Sequence, residues 1–415
     1  MVSSSARRLG AAKKLLDLIA GKEILFTYTL ACLVKAQLKS TAGKKRMTIN
    51  QPLFLLFLFV TILSPSYGCT NLPNVTEIID EAPTKQKSPH ILSSKGQLSR
   101  QQSKAIMKQL RQSVKATDIL ERHIAVIESI TENPLTKGNK ITLLTDGAAT
   151  YPAMLTAIEQ ATDHINMESY IFEDDEIGQK FAEALLQKQA AGIQVHLIYD
   201  SVGSITTPAA FFERMRAGGI EVVEFNPINP LEAREEWDLT HRDHRKILIV
   251  DGRLAIIGGI NISKVYSSHP FQRQHNENPP IHWRDTDIQI EGPAVAEFQQ
   301  LFLDTWLQQK GRQPAEHNYF PVLKSEGKAL VRVVGSTPGQ DNRISCIMYV
   351  SSITFAERSI HFTNSYFHTD YQTIQALYAQ DAHGLDLTLN LTQIRDALTT
   401  VYFHMFHYSQ LLKAG

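Results

Sequence analysis

Between residues 241 and 261 the chain reads HRDHRKILIVDGRLAIIGGIN, setting His244 and Lys246 two positions apart at the head of a branched-aliphatic run. Asp251, Gly258, Gly259 and Asn261 follow at short intervals. An imidazole that is largely neutral near pH 7 is a nucleophile, and a neighbouring ammonium offsets charge that grows on an oxyanion. Side chains alternate along an extended strand, so a His and a Lys two apart project to one side, about 7 Å from each other. That separation suits a single phosphate-sized group.

The elements that must hold this pair are legible nearby. KILIV, DG and RLAIIGG form a strand, a turn favouring positive φ, and a return strand, which predicts a β-hairpin. With Asp251 and Gly252 as a two-residue turn, Gly259 falls opposite His244, where an absent side chain leaves room for substrate. Asn261 lies just beyond and offers an amide donor to an oxyanion. Asp251 is about 23 Å from His244 along an extended chain, so it fixes the turn rather than orienting the imidazole. The orienting carboxylate is then Asp285 in HWRDTD, with Asp243 as the second choice. Glu168 in INMESYIF is read as lining the site, against the alternative of a cap or ion-pair partner.

His244, Lys246, Asp251, Gly258, Gly259 and Asn261 fit the pattern HxKxxxxDxxxxxxGGxN, and on these residues the chain resembles the phospholipase D superfamily. The stretches ESYIFEDDEIG, VHLIYDSVGS, EFNPINPL and WRDTDIQIEGP extend the resemblance to bacterial cardiolipin synthases and phospholipase D-like lipoproteins, over residues 138 to 415. The resemblance implies phosphodiester transfer without metal or cofactor, on a phosphatidylglycerol-like phospholipid. It makes His244 the nucleophile that becomes a phosphohistidine, Lys246 the charge-offsetting group, and Asp251 and Asn261 members of the motif's catalytic set. From their places in the hairpin and at a strand end, Gly258, Gly259 and Glu168 are the candidate substrate-binding positions. The histidine of a second motif copy would protonate the leaving alcohol, and only the first of the two usual copies is present. A homodimer pairing His244 of two chains is one way to supply the other.

From Ile141 strands and helices alternate, which predicts an α/β fold with a mixed sheet flanked by helices on both faces. The text AERSIHFTNSYF…HGLDLTLNL echoes ATDHINMESYIF…AGIQVHLI, with Ile360 answering Ile165, Tyr366 answering Tyr170 and Gly384 answering Gly192. A duplicated phospholipase D-type unit follows, its second copy incomplete. The expected divisions are a basic leader or misassigned start (1–46), a signal peptide (47–69), a tether (70–98), a helical lead-in (99–136), a first phospholipase D-like domain with its motif (137–320) and a partial second one (325–415). The unfinished copy is expected to expose apolar faces that favour association. A truncated, inactive remnant is therefore the competing reading.

The chain has equal numbers of acidic and basic residues, yet residues 1–46 carry ten Lys/Arg against two acids, leaving a mildly acidic body. Acidity demotes a nuclease and nucleic acid as partner. Cys32, Cys69 and Cys346 show neither CxxC spacing nor a disulfide framework. PLFLLFLFVTILSPSYGC, preceded by Lys44, Lys45 and Arg46, reads as a signal-peptide core too short to span a bilayer, ending at a lipidated Cys69. A membrane-anchored lipoprotein of the cell envelope, facing the periplasm, is the expected setting. His404 and His407 lack a third ligand for a metal, and the sequons at Asn74, Asn261 and Asn390 are read as chance.

Overall fold

Residues 72–82, 89–114, 119–131, 133–228, 241–267, 283–336, 344–364, 367, 369–391 and 411 are described by the computed structural model. The leader, Cys69, Tyr366, His404 and His407 lie outside them. Among the described residues no helix is long and apolar enough to cross a membrane.

The stretch expected to be a tether is instead built into the fold. Helix α1 (Val75–Glu81) is capped by Asn74, whose side chain accepts from the Glu77 N–H, and buries Val75 completely. Strands β1 (Ile91–Ser93) and β2 (Gly96–Gln97) form a small hairpin, and β1 joins the main sheet. A few apolar anchors, Val75 and Ile91 above all, outweigh a Pro-, Asn- and Ser-rich composition. The lead-in is two helices, α2 (Arg100–Val114) and α3 (Ile119–Ile130).

The expected alternation follows: β3 (Leu135–Leu144), α4 (Gly147–Gln160), β4 (His164–Ser169), α5 (Glu176–Ala190), β5 (Gln194–Asp200), α6 (Ala209–Ala217) and β6 (Glu221–Phe225). Then come β7 (Ile247–Val250), β8 (Leu254–Gly258), β9 (Asp287–Glu291), α7 (Val295–Gln308) and β10 (Ala329–Val331). The sheet runs β2-β1-β3-β9-β8-β7-β4-β5-β6, with β10 on β3. Strands β4, β5 and β6 are parallel, while β7, β8 and β9 are antiparallel to their neighbours. The fold is mixed α/β, with helices on both faces.

Alternation sorts the strand residues between two cores. Ile165, Met167, Val195, Leu197, Leu248 and Val250 pack against Met154, Phe181, Leu185 and Phe212 from α4, α5 and α6. Ile198, Ile247, Ile249 and Ile290 pack against Phe298, Phe302 and Trp306 of α7. Each buried aliphatic or aromatic side chain contributes about 1.5–3 kcal/mol, which fixes the register of the central strands.

A second unit comprises α8 (Ile344–Thr354), β11 (Ser359–Asn364), α9 (Tyr371–Ala382) and β12 (Asp386–Leu391). Its β11–α9–β12 repeats β4–α5–β5. Both strand pairs are parallel, Ile165 facing Val195 and Ile360 facing Leu387. Asp175 caps α5 and Asp370 caps α9, each accepting from two backbone N–H groups. Gly192 and Gly384, at positive φ of 86° and 79°, end the two helices. Helix α9 has 12 residues where α5 has 15, so the two copies stay aligned across a three-residue deletion. Among the described residues, the expected apolar exposure falls on the helices of this unit, where Tyr349 and Tyr371 are exposed, and not on its sheet. Its outward positions are Ser359, His361, Thr363, Asp386, Thr388 and Asn390, while Ile360, Phe362, Leu387 and Leu391 turn toward the helices.

Candidate active site

Parallel strands β4 and β5 end where antiparallel β7 begins, where β8 ends and where β9 begins. Five strand ends therefore open on one edge of the sheet, the position at which α/β folds gather polar groups. All the motif residues except Asp251 lie there.

Residues 241–246 form an irregular lead into β7, yet they keep strand alternation. Arg245 turns to the α7 side, donating to Thr305 Oγ1 (2.7 Å) and to the Ser336 carbonyl (3.2 Å), and lies 3.5 Å from Glu168 Oε1. His244 and Lys246 turn the other way and meet at the ring of Tyr170. The imidazole and phenol centroids are 4.5 Å apart, and Lys246 Nζ lies 5.1 Å from the phenol centroid. Lys246 Nζ also donates to the His244 carbonyl at 2.6 Å. The pair thus shares one side, on side chains that lean on a residue sequence reasoning did not select.

Electrostatics favour a neutral imidazole beside an ammonium. Partial withdrawal from water, then the Lys246 charge, lower the His244 pKa, against the opposing pull of Asp243 and Asp285. Burial pushes Lys246 down to about 8, while Asp243, Asp285, Asp287 and Asp200 hold its charge. At neutral pH the imidazole is therefore mainly unprotonated and the Lys246 amine mainly protonated.

The hairpin turn forms as expected, with positive φ at Asp251 (54°) and Gly252 (60°) and a hydrogen bond from Arg253 N to the Val250 carbonyl. Arg253 adds one residue before pairing resumes at Val250–Leu254. This shifts the register by one, so Gly259 does not fall opposite His244 as expected; Gly258 lies beside Lys246, to whose carbonyl it donates at 3.4 Å. Asp251 sits at the far end of the hairpin from His244. Its carboxylate accepts from the backbone N–H groups of Thr162, Asp163 and His164 and from the Thr162 hydroxyl, pinning the turn to the start of β4. Its place in the catalytic set is corrected accordingly.

The two glycines admit two carboxylates. A Cβ on Gly258 would fall 2.1 Å from Asp287 Oδ1, and one on Gly259 would fall 2.1 Å from Asp285 Oδ1. Room is made for protein anions rather than directly for substrate. Asp285 is exposed and its Oδ1 accepts from Thr286 N; it acts on His244 through space, with no hydrogen bond to the imidazole among the described residues. Asp287 is buried, accepts from Ile260 N (3.0 Å), and is pushed up to about 6 by burial. Sequence reasoning passed over it, although the DTD spacing puts Asp285 and Asp287 on one strand face.

Asn261 is buried and doubly engaged. Its Nδ2 donates to Tyr266 Oη (2.9 Å) and its Oδ1 accepts from Ile171 N (3.0 Å), which clamps the chain next to Tyr170. Glu168 is 1% exposed and lies on the α7 side, opposite His244, so it does not share the face of His244 and Lys246 as expected of a site-lining residue. Burial and the adjoining Asp243 carboxyl, with which it shares a hydrogen bond, raise its pKa far above the carboxylate range. Glu168 thus backs residues 243–245 from beneath. Asp200 completes that support, accepting from Val202, Gly203 and Asp243 N–H groups.

Residues 154–306 match the family model described as cardiolipin synthase, phospholipase D-like domain. The chain is 32% identical over 289 residues to a cardiolipin synthase of Geobacillus thermodenitrificans, covering 69% of this chain and 56% of that protein. It is 33% identical over 298 residues to cardiolipin synthase 1 of Bacillus cereus, covering 70% and 57%. It thus spans little more than half the length of these relatives. A solved phosphatidylserine synthase from Haemophilus influenzae is 14% identical, with a TM-score of 0.42 over 64% of each chain.

Proposed function

From the premise that this chain is a cardiolipin synthase-like member of the phospholipase D superfamily, we propose that it carries out phosphodiester transfer on phospholipids, with His244 as nucleophile. The observation that carries this reading is the convergence of a neutral-leaning imidazole and an ammonium at Tyr170, with Asp285 and Asp287 admitted beside them by Gly258 and Gly259.

In the first step a lone pair on the His244 imidazole forms an N–P bond as the P–O bond to the leaving alcohol breaks. Lys246 offsets charge on the non-bridging oxygens. The carboxylates Asp285 and Asp243 stabilise the cation that the imidazole becomes, as the acid of a triad does. In the second step an acceptor hydroxyl attacks phosphorus, gives its proton to the group that protonated the leaving alcohol, and frees the imidazole as the N–P bond breaks; with phosphatidylglycerol as both donor and acceptor the products are cardiolipin and glycerol. The leaving alcohol needs a proton from a second acid. Another imidazole, in a further copy of such a site or in a paired chain, fills that role, and without it the rate falls about 10²- to 10⁴-fold. An acylated Cys69 would hold the domain at the envelope membrane, against its substrate.

The test incubates the purified chain with phosphatidylglycerol vesicles carrying ³²P, follows cardiolipin and glycerol release, and maps acid-labile label to a histidine. Label on His244, lost in His244→Asn, is the expected result. Nicking of plasmid with no lipid turnover would replace this reading with a nuclease.

A further inference from the structure

We propose that Tyr170 is a positioning residue for the His244–Lys246 pair, a shared ring that sets the direction of both side chains. The inference rests on the phosphodiester-transfer reading above and adds a residue to it.

Three independent contacts single the ring out. It lies 4.5 Å from the His244 imidazole at an interplanar angle of 50°, close enough to limit rotation of the imidazole about its χ2 bond. Lys246 Nζ lies 5.1 Å from its centroid, within cation–π range, so an ammonium on a flexible four-carbon stem has a fixed resting place. Behind the ring, the loop after β5 comes so near that a Cβ on Gly203 would sit 2.8 Å from Tyr170 Cδ2 and 2.1 Å from its carbonyl oxygen. The ring is held from both sides.

Its backbone is held as well. Ile171 N donates to Asn261 Oδ1, Phe172 N donates to Ser204 Oγ (3.0 Å), and Ser204 Oγ reaches the Tyr170 carbonyl at 3.3 Å. The last residue of the motif, Asn261, thereby acts on its first two residues through Tyr170. A nucleophile needs a defined approach line, and loss of that definition slows transfer without removing any reacting group.

The charged groups that act on His244 are Lys246, Asp243 and Asp285; those on Lys246 are Asp243, Asp285, Asp287 and Asp200; and those on the phenol are Asp200 and Arg242. A substitution at Tyr170 replaces none of these groups, so movement of the His244 midpoint reports loss of the ring together with the freedom that loss gives to Lys246.

The experiment uses the full chain with Tyr170→Phe, Tyr170→Leu and Tyr170→Ala. The His244 ring is titrated by NMR without lipid, and kcat and KM are measured on phosphatidylglycerol vesicles. Tyr170→Phe is expected to keep the wild-type midpoint and rate. Tyr170→Ala should raise the His244 midpoint toward the ordinary histidine value as water enters. Tyr170→Leu, which keeps apolar cover and the fold, should lower kcat about tenfold with little change in KM. A wild-type midpoint in Tyr170→Ala, or a Tyr170→Leu variant as active as Tyr170→Phe, overturns the proposal. Because the titration needs no substrate, a chain inactive on lipid with a shifted midpoint would refute the transfer reading alone.

Discussion

The units β4–α5–β5 and β11–α9–β12 share strand pairing, an aspartate helix cap and a glycine stop, but they differ in what surrounds them. Every residue of β4 is buried, and polar residues of β4 and β5 face α7: His164 Nε2 lies 3.2 Å from Gln299 Oε1, and the His196 ring of β5 packs 4.7 Å from Trp306. In β11 and β12 every second residue is exposed. The β-α-β unit is thus a scaffold common to both halves, and chemistry enters where β7, β8 and β9 are added to it. Local sequence built the scaffold twice; the hairpin and the DTD strand add polar strand ends to the first copy.

The largest effect that would sharpen this contrast is on turnover. His244→Asn is expected to lower transfer by at least about 10³-fold, whereas His361→Ala, which removes the exposed imidazole at the position repeating Asn166, should leave the rate unchanged in the vesicle assay. Equality of the two would break the distinction between the halves.

Stability comes next. Met167→Ala removes a fully packed side chain from β4 and should cost about 2–5 kcal/mol, while His361→Ala should stay within about 0.5 kcal/mol; urea unfolding of each variant measures both. Asp251→Ala deletes an acceptor that serves three N–H groups and a hydroxyl, and leaves Ala at positive φ. It should cost about 2–4 kcal/mol with kcat retained in the folded fraction. A large loss of kcat at unchanged stability would return Asp251 to the chemistry.

The smallest effect is on pH dependence. His244 must be unprotonated and Lys246 protonated, so kcat/KM should rise as pH climbs through the lowered His244 pKa, below 6.5, and fall as pH climbs through about 8, where Lys246 loses its proton. Lys246→Arg, protonated at every accessible pH, should keep the acid limb and abolish the alkaline one at a reduced rate.

Much of the arrangement was legible in the sequence because period and turn chemistry are local. The strand–helix rhythm, the Asp251–Gly252 turn, the alignment of Ile360 with Ile165 and the shared side of His244 and Lys246 all follow from spacing. The register slip at Arg253 was not legible. It accompanies a carboxylate on Asp251 that ties the turn to residues 162–164, contacts about ninety residues distant in sequence. Glu168 was misplaced for a related reason: a strand buried on both faces gives no alternation of polarity by which to sort its residues. Tyr170 was hidden in a strand-end context where aromatic residues are common. The anchoring of residues 75 and 91 was obscured by a composition that resembles a linker.

Asp285 and Asp287 reach their places through the pairing of β9 with β8, in which Gly258 faces Asp287. A side chain added at either glycine should therefore reach the reacting groups at one remove, by displacing a carboxylate whose charge acts on Lys246, an effect carried by strand register rather than by contact with substrate.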